Sequence, residues 1–327
     1  MNERSELEKA IDEPIDFIDQ TLALNGVPLH SRPLYAAIQY VKLYVVKVRL
    51  PDLKEISPNK IADHADSDWF RSIFKTTENW YRHRYGELSH SHNSNKMHAA
   101  TLVRDTPYLL TIPMTTSEVE KPGESAWLCF PDTVQKSEDV LSWIQHGPNF
   151  DNLSPKDVIA ARKLAEGISI KLRLTCNTLR LGLDPSETKL LEMSRHILPN
   201  LEEAASFFVK NGQLAFWPMQ MACELALKCL AQQRSKEFKE THDLYYLFDQ
   251  MPDGVPPFPR KLLSRLPNWE EMVQLRYGGG KTFTIRQTFR AYQATIDIVQ
   301  ATTSALKKHL YMKNAKFLLK FPPYMKD

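Results

Sequence analysis

The chain has 327 residues, 43% hydrophobic and 25% charged. These values are ordinary for a soluble globular protein and exclude extended disorder and fibrous repeats. The length suffices for one large or two ordinary domains with full cores, and only 11 glycines argue against a Gly-rich nucleotide-binding architecture. Cys129, Cys176, Cys223 and Cys229 include no C-x-x-C pair, so a zinc ribbon or thioredoxin-like site has no support. Cys223 and Cys229 read as buried thiols of one helix, as in a reducing compartment. Met1 to Pro14 alternates charges without an apolar run, unlike a signal peptide, and no stretch approaches the ~20 apolar residues of a membrane span. A cytoplasmic protein away from the membrane is expected.

In chain order, the first predicted helix is 31–49, capped by Ser31, with Pro33 in its first turn and Leu34, Ile38, Val41, Val45 and Val48 on one face until Pro51 ends it. A second helix runs from Ser67 to Arg84 with Trp69, Phe70, Ile73, Phe74 and Trp80 on its heavy face. The histidine-rich stretch 84–96 reads as a loop. Strands are predicted at 98–103, 107–114 and 125–130, with Arg104-Asp105-Thr106 as a tight connection and 115–124 as an exposed loop. A short helix at 137–145 is broken by His146-Gly147-Pro148-Asn149, which sets an expected boundary: an α+β module over 1–150 with a small antiparallel sheet, and a helical bundle over 151–327. The fold class is therefore mostly α.

The second half opens at Ser154-Pro155-Lys156-Asp157, a capping serine followed by proline and an acid in the first turn. Ile168, Ile170, Leu172 and Leu174 alternate like a strand, yet Leu164, Ile168 and Leu172 step by four; helix is preferred. Helices follow at 186–209, interrupted by Pro199, and at 218–233, 241–250, 259–265 and 267–277. The last, Ile285 to Leu310, carries one apolar seam of about 39 Å if fully helical.

Chemistry gathers in the second half. Glu224 and Lys228 stand four apart, acid first, in an otherwise apolar helix. That is the favourable order for a helical ion pair, and a pair so placed is half buried and needs partners. His242, in Thr241-His242-Asp243-Leu244, and Arg276, in Leu275-Arg276-Tyr277, are the candidates. As a polar network these groups lock three helices together; as a pocket they hold a nucleotide or RNA phosphate, with Lys228 and Arg276 as cations and Tyr277 able to stack a base.

An E-L-x-L-K helix, a T-H-x-L helix start, a W...L-R-Y segment and a long closing helix, in this order over about 187–312, resemble the HEPN superfamily, the "higher eukaryotes and prokaryotes nucleotide-binding" helical fold. The resemblance implies a four- or five-helix bundle that dimerises and a partner protein in toxin-antitoxin or antiphage defence. Many HEPN proteins are metal-independent ribonucleases whose Arg precedes a His by four to six intervening residues. The matched region has no such pair, since Arg234 and His242 are seven residues apart in the intervening count. The spacing is met by Arg84 and His90, in the N-terminal half. The expectation is thus a non-catalytic HEPN-like binding and dimerisation module for RNA or nucleotide. The alternatives are a ribonuclease using Arg84 and His90, or a structural subunit of a larger complex.

His83, His90, His92 and His98 are dense enough to suggest zinc, but no carboxylate at hydrolase spacing and no cysteine accompanies them; neither metal nor cofactor is expected. Gly278-Gly279-Gly280-Lys281-Thr282 imitates the end of a P-loop, yet the first glycine falls at Leu275 after a helix instead of a strand. The near-neutral total of +3 conceals an asymmetry: residues 251–327 hold 13 basic against 5 acidic side chains, leaving −5 for 1–250. Lys307, Lys308, Lys313, Lys316 and Lys320 interleave with Tyr311 and Phe317, a pattern suited to nucleic acid or an acidic partner or, alternatively, to a solvated helix end.

Overall fold

The computed structural model describes residues 6–49, 55–58, 64, 67–86, 89, 95–122, 124–235, 240–251, 257–277, 279, 281–312 and 314–320. The chain is mostly helical with small antiparallel sheets, and it divides into two compact units. One comprises 1–94, 119–126 and 318–327; the other comprises 95–118 and 127–317. The units therefore separate near residue 95 instead of 150, because the strands at 96–113 share their core with the C-terminal helices.

In the first unit, α1 (Glu6–Leu24), α2 (Arg32–Tyr44) and α3 (Asp68–Tyr85) pack pairwise. The short strands β1 (Val48–Arg49) and β2 (Glu55–Ile56) pair antiparallel. Helix α1 adds to the expected elements: Ile11, Ile15, Ile18 and Leu22 recur at helical spacing and are buried, but charges and Pro14 mask that stripe. Helix α2 ends at Tyr44, seven residues before Pro51. Helix α3 begins as predicted, Ser67 Oγ accepting from Phe70 N at 3.3 Å. Its polar side meets an acidic row on α1: Trp80 Nε1 donates to Asp12 at 2.7 Å, Arg84 pairs with Asp16 at 2.6 Å, and the buried Asp19 accepts from the Tyr85 hydroxyl and from Arg32.

In the second unit, β3 (Lys96–Val103) and β4 (Thr106–Pro113) form an antiparallel hairpin. Its turn residues Arg104 and Asp105 both have positive φ, 49° and 62°, the twist-compatible geometry of a two-residue hairpin loop. Both edges are covered. On β3, His98 N donates to Glu202 at 2.8 Å and Ala100 N to the Tyr292 hydroxyl at 3.2 Å. On β4, Thr111 N donates to Trp143 O and Gln145 N to Leu109 O, both at 2.8 Å. This pairing explains why 137–145 forms turns instead of the expected helix: its backbone groups serve the strand. Residues 115–124 also differ, with β5 (Thr116–Lys121) followed by β6 (Ser125–Cys129) and a late strand β7 (Lys316–Lys320), in the sheet order β5-β6-β7.

The helices of this unit are α4 (Pro155–Asn177), α5 (Thr188–Ser194), α6 (Ile197–Lys210), α7 (Phe216–Ser235), α8 (Leu244–Asp249), α9 (Trp269–Arg276) and α10 (Ile285–Ser304), with a 3-10 turn at Arg260–Arg265. Ser154 caps α4, which continues through the ambiguous 168–174 segment. The α5–α6 break falls at 195–196, and Pro199 sits in the first turn of α6, where its missing N–H costs nothing. Helix α10 stops at Ser304, about 30 Å long, so the basic segment after it is not a helix end. Hairpin and helices share one core, with α7 largely buried against α6 and α10. No helix of the described residues is long and apolar enough to cross a membrane.

One buried cation ties the hairpin to the helices. Arg173 on α4 is fully buried, and its five N–H donors are all used: Nε and one terminal nitrogen donate to Pro113 O, the other to Thr133 O, and both terminal nitrogens to the Glu138 carboxylate at 2.5 and 2.9 Å. The guanidinium also lies 5.2 Å from the Trp143 ring centroid. Burial pushes the Glu138 carboxyl upward, but Arg173 and the Gln135 N–H outweigh it and hold the group below the usual carboxylate range.

Arg173→Met is expected to cost about 3 kcal/mol, because the half-buried Glu138 loses its counter-charge; urea denaturation measures it. Since the folded carboxyl is depressed, its stabilisation is complete above the ordinary carboxylate pKa of about 4.3 and is lost as pH falls through the depressed value. Glu138→Gln should flatten that acid limb of the stability curve. The cysteines give a separate check: all four are unpaired and buried, and burial pushes Cys223 and Cys229 up to about 12. A thiol reagent should label none of them at neutral pH in the native protein and all four in guanidinium.

Candidate functional site

Three of the residues expected to converge do so. Glu224 and Lys228 lie one turn apart on α7, both buried, with Lys228 Nζ 3.0 Å from Glu224 Oε1. The second carboxylate oxygen, Oε2, meets His242 Nδ1 at 3.0 Å. His242 precedes α8, whose cap is Asp243, its carboxylate accepting from Tyr245 N and Tyr246 N. The segment leading into α8 is held from behind by Gln220, one turn before Glu224, whose Nε2 donates to His242 O at 2.7 Å.

The outer face of the cluster is aromatic. The His242 ring, 52% exposed, stacks on Trp269 at 4.8 Å with an interplanar angle of 15°. Trp269 opens α9 behind the Asn268–Glu271 capping box and lies 6.1 Å from Trp217 of α7. Lys228 also reaches Glu240, an exposed carboxylate, at 3.4 Å. Two carboxylates thus flank one ammonium, and the cluster carries no surplus positive charge of its own. Its chemistry is that of a lock joining α7 to the segments before α8 and α9, with one imidazole–indole pair open to solvent.

The other expected residues stand elsewhere. Arg276 closes α9, with its side chain outside the described ones, and Tyr277 is 80% exposed. Arg84 is engaged by Asp16 and lies over the Trp80 ring at 4.9 Å, while His90 falls outside the described residues. Lys313 does too. Lys307 and Lys308 follow α10, Lys308 Nζ lying 5.8 Å from the Tyr311 ring centroid. Lys316 pairs with Glu118 at 2.9 Å, and Lys320 ends β7 on a fully exposed strand. Among the described residues, no group of three His, Cys, Asp or Glu side chains is placed to hold a metal ion.

The sequence marks Trp269 only as the start of the W...L-R-Y segment and gives Gln220 and Glu240 no role. A tryptophan just after the capping Asn268 was visible, but only the fold brings it onto a histidine 27 positions away. No family model, curated protein or solved structure matches the chain.

Glu224→Ala is expected to destabilise the protein by about 3 kcal/mol, since it takes the nearer and buried counter-charge from a buried ammonium and leaves it only the exposed Glu240. Replacing both partners with apolar residues of similar size, Glu224→Leu with Lys228→Met, should cost much less. Urea denaturation of the two variants makes the comparison, and equal losses would contradict the lock.

Proposed function

We propose that the chain is a non-catalytic, HEPN-like binding and dimerisation module that takes RNA or nucleotide through its basic C-terminal segment, residues 251–327. The observation that carries this reading is the distribution of compensated and uncompensated cations. The cluster of Glu224, Lys228 and His242 neutralises itself, and Arg84 is held by Asp16. By contrast, Arg265, Lys281, Arg290 and Lys308 form no ion pair with a described carboxylate, in the segment whose net charge is +8. Phosphate backbones bind to such surplus charge through counterion release.

The HEPN assignment rests on the ordered motifs of α7, the α8 start, α9 and α10, and the dimer and defence partner are what that resemblance implies. The Glu224–Lys228–His242 cluster serves here as the lock that fixes the motif-bearing helices, with the His242–Trp269 stack as a surface on which a base can rest.

Single-stranded RNA is expected to bind with an affinity that falls steeply with salt. Lys307→Gln with Lys308→Gln should make the slope of log K against log salt shallower by roughly 0.7 for each phosphate that is no longer neutralised, as read by fluorescence anisotropy. Binding that ignores salt would sink the proposal. So would cleavage of labelled RNA that disappears in Arg84→Ala or His90→Ala, which would make the protein a ribonuclease. Sedimentation equilibrium should give twice the chain mass.

A further inference from the structure

We infer that a pocket between the 3-10 turn Arg260–Arg265 and the start of α10 binds a run of phosphate groups, a discrete anion site beyond the general RNA-binding reading above. The pocket is an open surface depression of about 540 Å³ lined by Ser264, Arg265, Lys281, Phe283, Gln287 and Arg290, within the size range of small-ligand sites. Three of these six side chains are cations and none is an acid.

The neighbours make the lack of counter-charge specific. Arg260, on the same turn as Arg265, forms a bidentate pair with Asp249 at 2.8 and 2.9 Å. Arg286, one turn before Arg290 on α10, is clasped by Asp105. Arg265, Lys281 and Arg290 have no such partner among the described residues. Three like charges around one small opening repel one another, a cost that an anion in the pocket would remove.

Lys281 belongs to the Gly278-Gly279-Gly280-Lys281-Thr282 run, which follows α9 and is not a P-loop in its setting. Its ammonium lies 5.3 Å from the Phe283 ring centroid, and Phe283 in turn packs on the buried Phe216 at 4.7 Å. These contacts anchor the cation at the pocket without neutralising it. Gln287 contributes through its amide nitrogen: its Oε1 is occupied by Thr284 N and Oγ1 in the capping box, which leaves its two N–H donors for a ligand. Ser264 contributes less, because its hydroxyl hydrogen is given to Lys261 O. Guanidinium forks and an ammonium around a formal +3 opening match a di- or triphosphate better than a single carboxylate.

Calorimetry with tripolyphosphate on the full chain tests the site. The expected result is saturable binding of one anion per chain, weakened about tenfold or more by Arg290→Gln, Lys281→Gln or Arg265→Gln, the loss of one charge-assisted hydrogen bond. Lys261→Gln, on the same turn but outside the pocket, should leave the affinity unchanged and controls for general charge. Competition then identifies the source of the phosphates, ATP displacing tripolyphosphate if the ligand is a free nucleotide and a single-stranded RNA if it is a strand. Absence of tripolyphosphate binding, or binding that all three pocket variants leave intact, overturns the inference. Its failure is separable from that of the RNA reading. RNA binding that depends on Lys307 and Lys308 can survive a silent pocket, and a pocket sensitive to Arg290→Gln can survive the loss of RNA binding.

Discussion

The larger unit depends on a single fully buried guanidinium. Arg173 projects from α4 into the space between the end of β4 and the 133–138 turn, and every one of its donors finds an oxygen. A charge removed from water is tolerable only when hydrogen bonds and a counter-charge replace the lost hydration. Here Glu138 supplies the charge, while Pro113 at the end of β4 and Thr133 in the turn supply carbonyls. The clamp therefore satisfies these carbonyls at the same time as it buries a cation, and it fixes where the β3–β4 hairpin meets the helices.

The same economy is visible in how that hairpin is sealed. A two-stranded sheet leaves two edges of unpaired backbone groups. Glu202 and the buried Tyr292 cover one, and the 143–145 backbone covers the other. A hairpin so enclosed is part of the helical core, which is why the unit boundary precedes it.

Charge compensation also separates the clusters that hold the fold together from the cations left without a described counter-charge. Glu224, Lys228 and His242 are legible in sequence as a cluster because an acid and a lysine four apart in an apolar helix must find partners when buried. Whether such a cluster is open or closed is not legible, since it depends on what comes to lie over it. The fold answers with Glu240 at the rim and Trp269 against the imidazole. Arg265 and Arg290 show the converse. Nothing in their local sequence distinguishes them from Arg260 and Arg286, and only the positions of Asp249 and Asp105 in space decide which arginines are neutralised.

What the sequence determined by itself was what local chemistry can encode: the start of α3 at Ser67, the capped start of α4, the helical character of α7, the tight hairpin turn at Arg104 and Asp105, the buried thiols of Cys223 and Cys229 and the basic bias of residues 251–327. These are set by backbone preference, side-chain period and composition, which need no distant partner. The tertiary structure alone decided the end of α10, the turn character of 137–145, the inclusion of the hairpin in the helical unit and the Arg173 clamp. Each of those depends on a hydrogen bond or burial between residues far apart in the chain. Such contacts override weak local preference because an unsatisfied buried polar group costs more than a few tenths of a kcal/mol of propensity can recover.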